Sequence, residues 1–319
     1  TREQAMKKVL VIGGSYFAGR VFVEELRKKK DVEIHVFNRG SMRLGFDGVT
    51  EHRGDREDAA QIRRAIPEQD WDAVVDFCGY NPSHIEKMLA NVPGKIKQYI
   101  FISTTTVCRN SWDLPIREDA PKLSGPQIEM GPMANYGYDK WLAECALRQA
   151  GDRGGIAYTV LRPAIIYGFY NYAPREQYFF DLLREGKPLV IPQGGLALFS
   201  FIWVVDMAQL LIRCIGEEKV YNQDFNLSSD ELVSYPRIVE VLEEITGKKI
   251  NVVRKSVDYI NKEQIPLPFP LDEHLVYSGS KMQRLFNFDY TPFKTGMREV
   301  FEYYQMVQKK LQESSPAGE

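Results

Sequence analysis

Tyr136 and Lys140 put a phenol four positions before an ammonium. On a helix that spacing sets both side chains on one face. A nearby cation favours phenolate, so such a tyrosine can exchange a proton with a substrate hydroxyl or carbonyl. A free phenol ionises only at about pH 10, so it needs that electrostatic help to work near neutrality. The pair points to an enzyme rather than a bare nucleotide-binding module. Tyr138, two positions on, is turned away by the same helix and reads as a packing aromatic.

A second constellation lies upstream. Residues 9–20 read as a buried strand, a tight turn containing Gly13, Gly14 and Gly19, and a helix start. Backbone N–H groups at such a start can receive a pyrophosphate, aided by the positive end of the helix dipole. Tyr16, followed by Phe17, stands where the general dinucleotide fingerprint has its middle glycine. A side chain of that bulk is expected to press on the pyrophosphate or shift the backbone's approach. The second strand ends at Phe37-Asn38-Arg39-Gly40. An NAD site typically offers an acid here for the ribose hydroxyls. Neutral Asn38 and cationic Arg39 favour NADP over NAD, because arginine pairs with a 2′-phosphate. Arg20 and Arg43 are further candidates for that phosphate, and Asp55 for the adenine amino group. Cys78 and Gly79 end the third strand, where small residues let the cofactor lie across the sheet edge.

The elements that must position these residues alternate regularly. Strands are expected at 8–13, 32–37, 72–77, 97–103 and 156–161. Helices are expected at 20–30, 58–67, 83–91 and 135–150. This order with short loops predicts an α/β fold, a parallel sheet covered by helices on both faces. The longest irregular stretch, Arg109 to Pro132, belongs at the rim of an active site. Beyond Gly168 the alternation fades. Helices are expected at 178–183, 204–215, 234–246 and 295–311, with an extended segment at 190–192. Pro266, Pro268 and Pro270 prevent regular structure between them. Residues 6–168 are expected to form the dinucleotide-binding domain, which also receives about 200–225. Residues 169–199 and 226–312 are expected to form a smaller, interleaved C-terminal substrate lobe. The residues before Met6 read as a tail, and 313–319 as a frayed end.

Further segments carry a family signature. Leu161-Arg162-Pro163-Ala164-Ile165-Ile166-Tyr167-Gly168 is one, and Phe201-Ile202-Trp203-Val204-Val205-Asp206-Met207-Ala208 is another. Asn226-Leu227-Ser228-Ser229 and the run from Ser280 through Lys281 and Arg284 to Asn287 follow in order. With the glycine turn and the Tyr-Lys pair, they resemble the extended short-chain dehydrogenase/reductase family. Within it they are most similar to the NAD-dependent epimerase/dehydratase type, along nearly the whole chain. The opening Gly13-Gly14-Ser15-Tyr16-Phe17-Ala18-Gly19 looks most like an atypical branch. That branch includes bacterial proteins and plastid RNA-binding or ribonuclease-like relatives.

The resemblance implies a Rossmann-type doubly wound sheet and an NADP or NAD cofactor. It adds a Ser/Thr after the fourth strand to the Tyr-Lys pair, with Thr104 the first candidate and Ser103 the second. It implies that Lys140 holds the nicotinamide ribose and that Ser103 and Pro163 lie beside the nicotinamide. The substrate is expected to be a small molecule bearing a hydroxyl or carbonyl, possible forms including a sugar nucleotide. Many nucleotide-sugar relatives carry an arginine just before the Phe201 segment to contact the substrate pyrophosphate. Phe199 stands there, which counts against a standard UDP-sugar. A dehydratase needs an added acid, for which Asp113, Glu118, Asp119 and Glu129 are the loop candidates. A homodimer built on a four-helix contact is the family expectation.

Composition sets the outer bounds. The chain has 319 residues, 44% apolar and 26% charged, with a net charge of -2. That balance argues against broad nucleic-acid or anionic-membrane binding. Four scattered cysteines without a Cys-x-x-Cys pair read as buried free thiols in a reducing cytoplasm. No apolar stretch approaches the ~18 residues of a membrane span. His35, His52, His84 and His274 read as isolated, so no metal site is expected. The rival readings are a cofactor-binding regulatory protein and an RNA-binding protein on the same fold, neither with turnover.

Overall fold

The computed structural model describes residues 5–194 and 196–315. The first four of the five residues expected as a tail, and the last four residues of the expected frayed end, lie outside them. In the first half the elements run β1 (Lys7–Ile12), α1 (Phe17–Leu26), β2 (Val32–Asn38), β3 (Val49–Arg53) and α2 (Ala59–Ala65). They continue with β4 (Gln69–Trp71), β5 (Ala73–Asp76), α3 (Pro82–Asn91), β6 (Gly94–Ile96), β7 (Gln98–Ile102), α4 (Tyr136–Asp152) and β8 (Ala157–Pro163). Local chemistry sets several boundaries. Asp58 accepts from the N–H groups of Ala60 and Gln61 to start α2. Asn81 does the same for His84, with Pro82 opening α3. The first helix starts at Phe17 and ends at Leu26, so the lysine run 28–30 lies outside it.

The second half contributes β9 (Ile165–Tyr167), α5 (Glu176–Arg184), β10 (Leu189–Pro192), β11 (Phe199–Trp203), α6 (Val204–Cys214) and β12 (Gln223–Leu227). It ends with β13 (Leu232–Val233), α7 (Tyr235–Thr246), β14 (Val252–Lys255), α8 (Val257–Lys262), α9 (Ser280–Phe286) and α10 (Phe293–Ser314). Ser234 caps α7, and Gly247 closes it with a φ of 68°. Helix α10 runs through Glu313 and Ser314, where fraying was expected.

Seven strands form one sheet in the order β3-β2-β1-β5-β7-β8-β12. Every neighbouring pair in it is parallel. A buried parallel strand needs apolar residues on both faces, and β1 supplies them by alternation. Val9 and Val11 pack with Val21, Phe22 and Met207 on one face. Leu10 and Ile12 pack with Ile62, Ile85 and Leu147 on the other. From β1 the chain first builds outward through β2 and β3, then returns to β5 and builds the other way. The carboxyl ends of β1 and β5 therefore flank the crevice where such sheets bind ligands.

A separate core, built from Phe179, Phe180, Phe199, Tyr235, Phe269 and Phe293, holds the remaining segments together. It carries the pairs β13-β11-β9 and β10-β14. Strand β12 follows the insertion of α5, β10 and β11, yet it joins the large sheet as an edge strand beside β8.

Candidate active site

A cleft of about 780 Å³ opens at the crevice between β1 and β5. Its wall runs from Arg39 and Asp55, at the ends of β2 and β3, to Thr104, Tyr136, Lys140 and Arg175 beyond β7.

The glycine turn shapes the middle. Gly13 has a φ of 79°, and a Cβ there would stand 2.8 Å from Cys78 Sγ. A Cβ on Gly19 would meet the Gly13 carbonyl oxygen at 2.8 Å. Both positions therefore bring backbone to the cleft that no other residue could bring so close. Gly14 packs toward Val11 and Val23 instead and is not on the cleft wall. No side chain caps the N-terminus of α1, which leaves its first N–H groups facing the cleft. The close backbone and uncapped helix start fit a cofactor pyrophosphate.

Tyr16 lines the cleft beside that cradle. Its side chain is 47% exposed, and its hydroxyl lies 3.1 Å from Ser41 Oγ. The tyrosine thus spans from the glycine turn to the loop after β2. Phe17 adopts a φ of 37° and meets Tyr172 edge to face, with ring centroids 6.2 Å apart.

At the adenosine end, Asn38 is engaged within the loop. It donates to Ser15 Oγ and accepts from the Gly40 N–H. Arg39 is exposed on the cleft wall and forms no ion pair among the described residues. Arg20 and Arg43 are committed elsewhere, to Glu24 at 3.7 Å and Glu51 at 3.8 Å. Neither lines the cleft. Asp55 does, and it accepts from the Glu57 N–H. Its neighbour Arg56, which sequence reasoning missed, forms a two-point ion pair with buried Asp76 at 2.7 and 3.0 Å. Tyr99 also donates to Asp76. Burial works to raise the Asp76 carboxyl, but the charge and hydrogen bonds of Arg56 hold it below the usual range.

At the other end, α4 presents Tyr136 and Lys140. The Lys140 ammonium is buried and donates to the carbonyls of Gly79 and Ile102, both at 2.8 Å. It also lies against the rings of Phe101 and Tyr80, 4.8 and 5.1 Å from their centroids. Burial pushes its pKa down to about 8. Gly79 is therefore a partner of Lys140 rather than part of the cleft wall. Burial pushes the Tyr136 phenol up, while a hydrogen bond with Thr104 and the charge of Arg175 work the other way. The Lys140 ammonium, expected to act on Tyr136, is hydrogen-bonded to backbone carbonyls.

Thr104 and Ser103 both line the cleft, but their hydroxyls are engaged differently. Thr104 lines the cleft and donates to Thr106 Oγ1 at 3.1 Å. The Ser103 hydroxyl is directed away, donating to buried Glu144 at 2.6 Å. Glu144 in turn pairs with Arg162 at 2.6 Å, and both are fully buried. Pro163 and Cys78 line the cleft.

None of Asp113, Glu118, Asp119 and Glu129 does; among the described residues the wall carries carboxylates only at Asp55 and Glu57, both at the adenosine end. Phe199 is fully buried in the second core, against Tyr235 and Phe269. Sequence reasoning also missed Tyr80, His84, Tyr172 and Arg175 on the wall. Arg175 and Tyr172 sit in the stretch after Gly168, where the alternating pattern that located the other residues has faded.

Two expectations away from the cleft need correction. His35 and His52 are not isolated: their rings stack, and Nδ1 of one lies 2.8 Å from Nε2 of the other. They meet because β2 and β3 are neighbours in the sheet. All four cysteines are free, but Cys78 and Cys145 are only half-buried. Among the described residues there is no cluster able to hold a metal and no helix long and apolar enough to cross a membrane.

A family model described as "NAD dependent epimerase/dehydratase family" matches residues 9–228. Among curated proteins, the chain is 26% identical to "Chloroplast stem-loop binding protein of 41 kDa b" of Arabidopsis thaliana, covering 88% of this chain and 74% of that protein. It is 25% identical to a UDP-glucose 4-epimerase of Lactobacillus helveticus, covering 75% of this chain and 82% of that one. Among solved structures, the dTDP-glucose 4,6-dehydratase of Bacillus anthracis in complex with NAD superposes with a TM-score of 0.77. That match covers 95% of this chain and 98% of the other at 18% identity.

Proposed function

The chain belongs to the NAD dependent epimerase/dehydratase family, and from that premise we propose that it catalyses reversible oxidation and reduction at a carbinol carbon of a small molecule. The cofactor is of the NAD(P) type, and we infer a preference for NADP. The observation that carries this reading is one continuous cleft with an uncapped glycine turn midway and Thr104, Tyr136 and Lys140 at one end.

When bound, the cofactor supplies or accepts the hydride. The chain's residues then have separable tasks. Tyr136 gives a proton to the substrate oxygen in reduction and takes one in oxidation. Thr104 turns its hydroxyl from Thr106 to the same oxygen. Lys140 has three N–H donors and uses two on backbone carbonyls, which leaves one for a ribose hydroxyl. Arg39, without an ion pair among the described residues, is the candidate partner of a 2′-phosphate.

The lack of a described carboxylate at the Tyr136 end favours oxidoreduction or epimerisation over elimination of water. A sugar nucleotide has precedent among the relatives, and the burial of Phe199 means its pyrophosphate would need other partners. A homodimer remains part of the proposal, to be checked by light scattering. RNA binding without turnover is less well supported, since the net charge of -2 offers no broad phosphate-binding surface.

Mass spectrometry of nucleotide retained on purification, with its redox state, tests the cofactor. On a substrate found with that cofactor, Tyr136→Phe is expected to lower turnover by about 10²–10⁴-fold with cofactor binding unchanged. Undiminished turnover would sink the assignment.

A further inference from the structure

We propose that the substrate carries a negatively charged group, a carboxylate or a phosphate, beside its reacting carbon, and that Arg175 selects it. This rests on the reading above for where the reaction occurs.

Four basic side chains of the lysine and arginine type line the cleft. Arg56 is held by Asp76, and Lys140 by two backbone carbonyls. Arg39 stands at the far, adenosine end. Arg175 is the one at the Tyr136 end that faces the cleft without an ion pair among the described residues.

Its surroundings hold it in place without a direct ion pair among the described residues, although the charge of neighbouring Glu176 acts on it. One guanidinium nitrogen donates to the carbonyl of Ile166, itself on the cleft wall. The adjacent Glu176 is buried and turned the other way. Its carboxylate accepts from the Gly168 N–H at 3.0 Å and from Asn171. A guanidinium has five N–H donors in a planar fork, so most remain for a ligand. Half-buried and unpaired, the cation bears a desolvation cost that an incoming anion would offset. Burial pushes its pKa down, and it lines the same cleft as Tyr136, so both side chains can contact one bound substrate. An acid would thus be oriented by a two-point contact, whereas a neutral analogue would leave the half-buried Arg175 without a counter-charge from the ligand.

The test uses the protein loaded with NADP, so that the adenosine end is occupied. Phenylglyoxal labels arginine side chains, and peptide mass spectrometry reads the rate at Arg175. Inorganic phosphate or acetate is expected to slow labelling there, while chloride at the same ionic strength does not. By calorimetry, Arg175→Gln should weaken binding of the protecting anion about tenfold, as expected for loss of a charge-assisted hydrogen bond. Arg175→Lys should recover part of it. Protection by phosphate alone identifies a phosphorylated substrate, and protection by acetate alone a carboxylate. Labelling insensitive to both anions, or anion binding untouched by Arg175→Gln, overturns the proposal. NADP binding in the same calorimeter separates the two readings. A protein that binds NADP but no anion refutes only the role of Arg175, whereas one that binds no NADP(H) refutes the proposed function and this inference with it.

Discussion

At the residue scale, Lys140 is a cation held without a carboxylate, by two carbonyl oxygens and two aromatic rings. Burial lowers its pKa to about 8, so its ammonium is intact below that pH and lost above it. Between pH 8 and its ordinary value the native state binds fewer protons than the unfolded chain, so this group's contribution to stability rises with pH. Its hydrogen bond to a ribose should fade over the same window. A fluorescence titration with NADPH should show affinity falling above pH 8 in the wild type, with a flat profile in Lys140→Met. Arg39→Ala should weaken NADPH binding by about 10–100-fold, the worth of a hydrogen bond to a charged group, and leave NADH unchanged. Equal losses for both nucleotides would refute the 2′-phosphate assignment. Tyr136 and Lys140 were legible because a four-residue spacing has one meaning on a helix. The resemblance already put Thr104 before Ser103, but the physical reason was hidden, because only the fold reveals that Ser103 is bonded to Glu144. Arg175 was illegible for the same reason: its significance is the absence of an ion pair, and sequence does not show which acids turn away.

At the element scale, the glycine turn and α4 can be tested separately. In Gly19→Ala the new Cβ would sit 2.8 Å from the Gly13 carbonyl oxygen and 2.9 Å from Gly14 Cα. Those are backbone atoms, so α1 must shift. Thermal melts should show a loss of about 1–3 kcal/mol, the usual cost of overpacking, with NADPH affinity reduced as well. Glu144 lies one helical turn beyond Lys140 and ties α4 to β8 through Arg162. Glu144→Gln should cost about 3 kcal/mol in urea denaturation, the lower end for a broken buried pair. It stays at that end because Asp224 remains 2.8 Å from the same guanidinium. Apart from β3, β4 and β6, the strands and helices up to β8 were readable from apolar runs with clear punctuation. Their ends were less so: α1 begins at Phe17 despite its positive φ, since turn geometry rather than propensity decides its start. Strand β3, with the sequence Val-Thr-Glu-His-Arg, has too little apolar character to announce itself.

At the scale of the whole molecule, acid should loosen the fold at the edge of the sheet. Burial and the neighbouring His35 lower the pKa of His52. The folded state therefore favours neutral His52, and the unfolded chain takes up a proton first as pH falls. Stability from this source is full above the ordinary histidine value of about 6.5 and declines below it. Thermal melts from pH 7.5 to 5 should show that decline reduced in His52→Gln; identical slopes would refute it. The parallel sheet was legible from alternation, and so were the main helices of the second half; the pairing of its short strands was not, because their partners are distant in sequence. The seventh strand has a consequence for how the protein is made. A ribosome that has released β8 has not yet released β12, and about sixty residues, many of them belonging to the second core, emerge between them. Until Leu227 is out, the backbone edge of β8 has no partner and the apolar side chains of β12 are missing from the interior. The nascent sheet is thus exposed to pairing with other chains during that interval, and a fragment cut after Gly168 would keep the defect permanently.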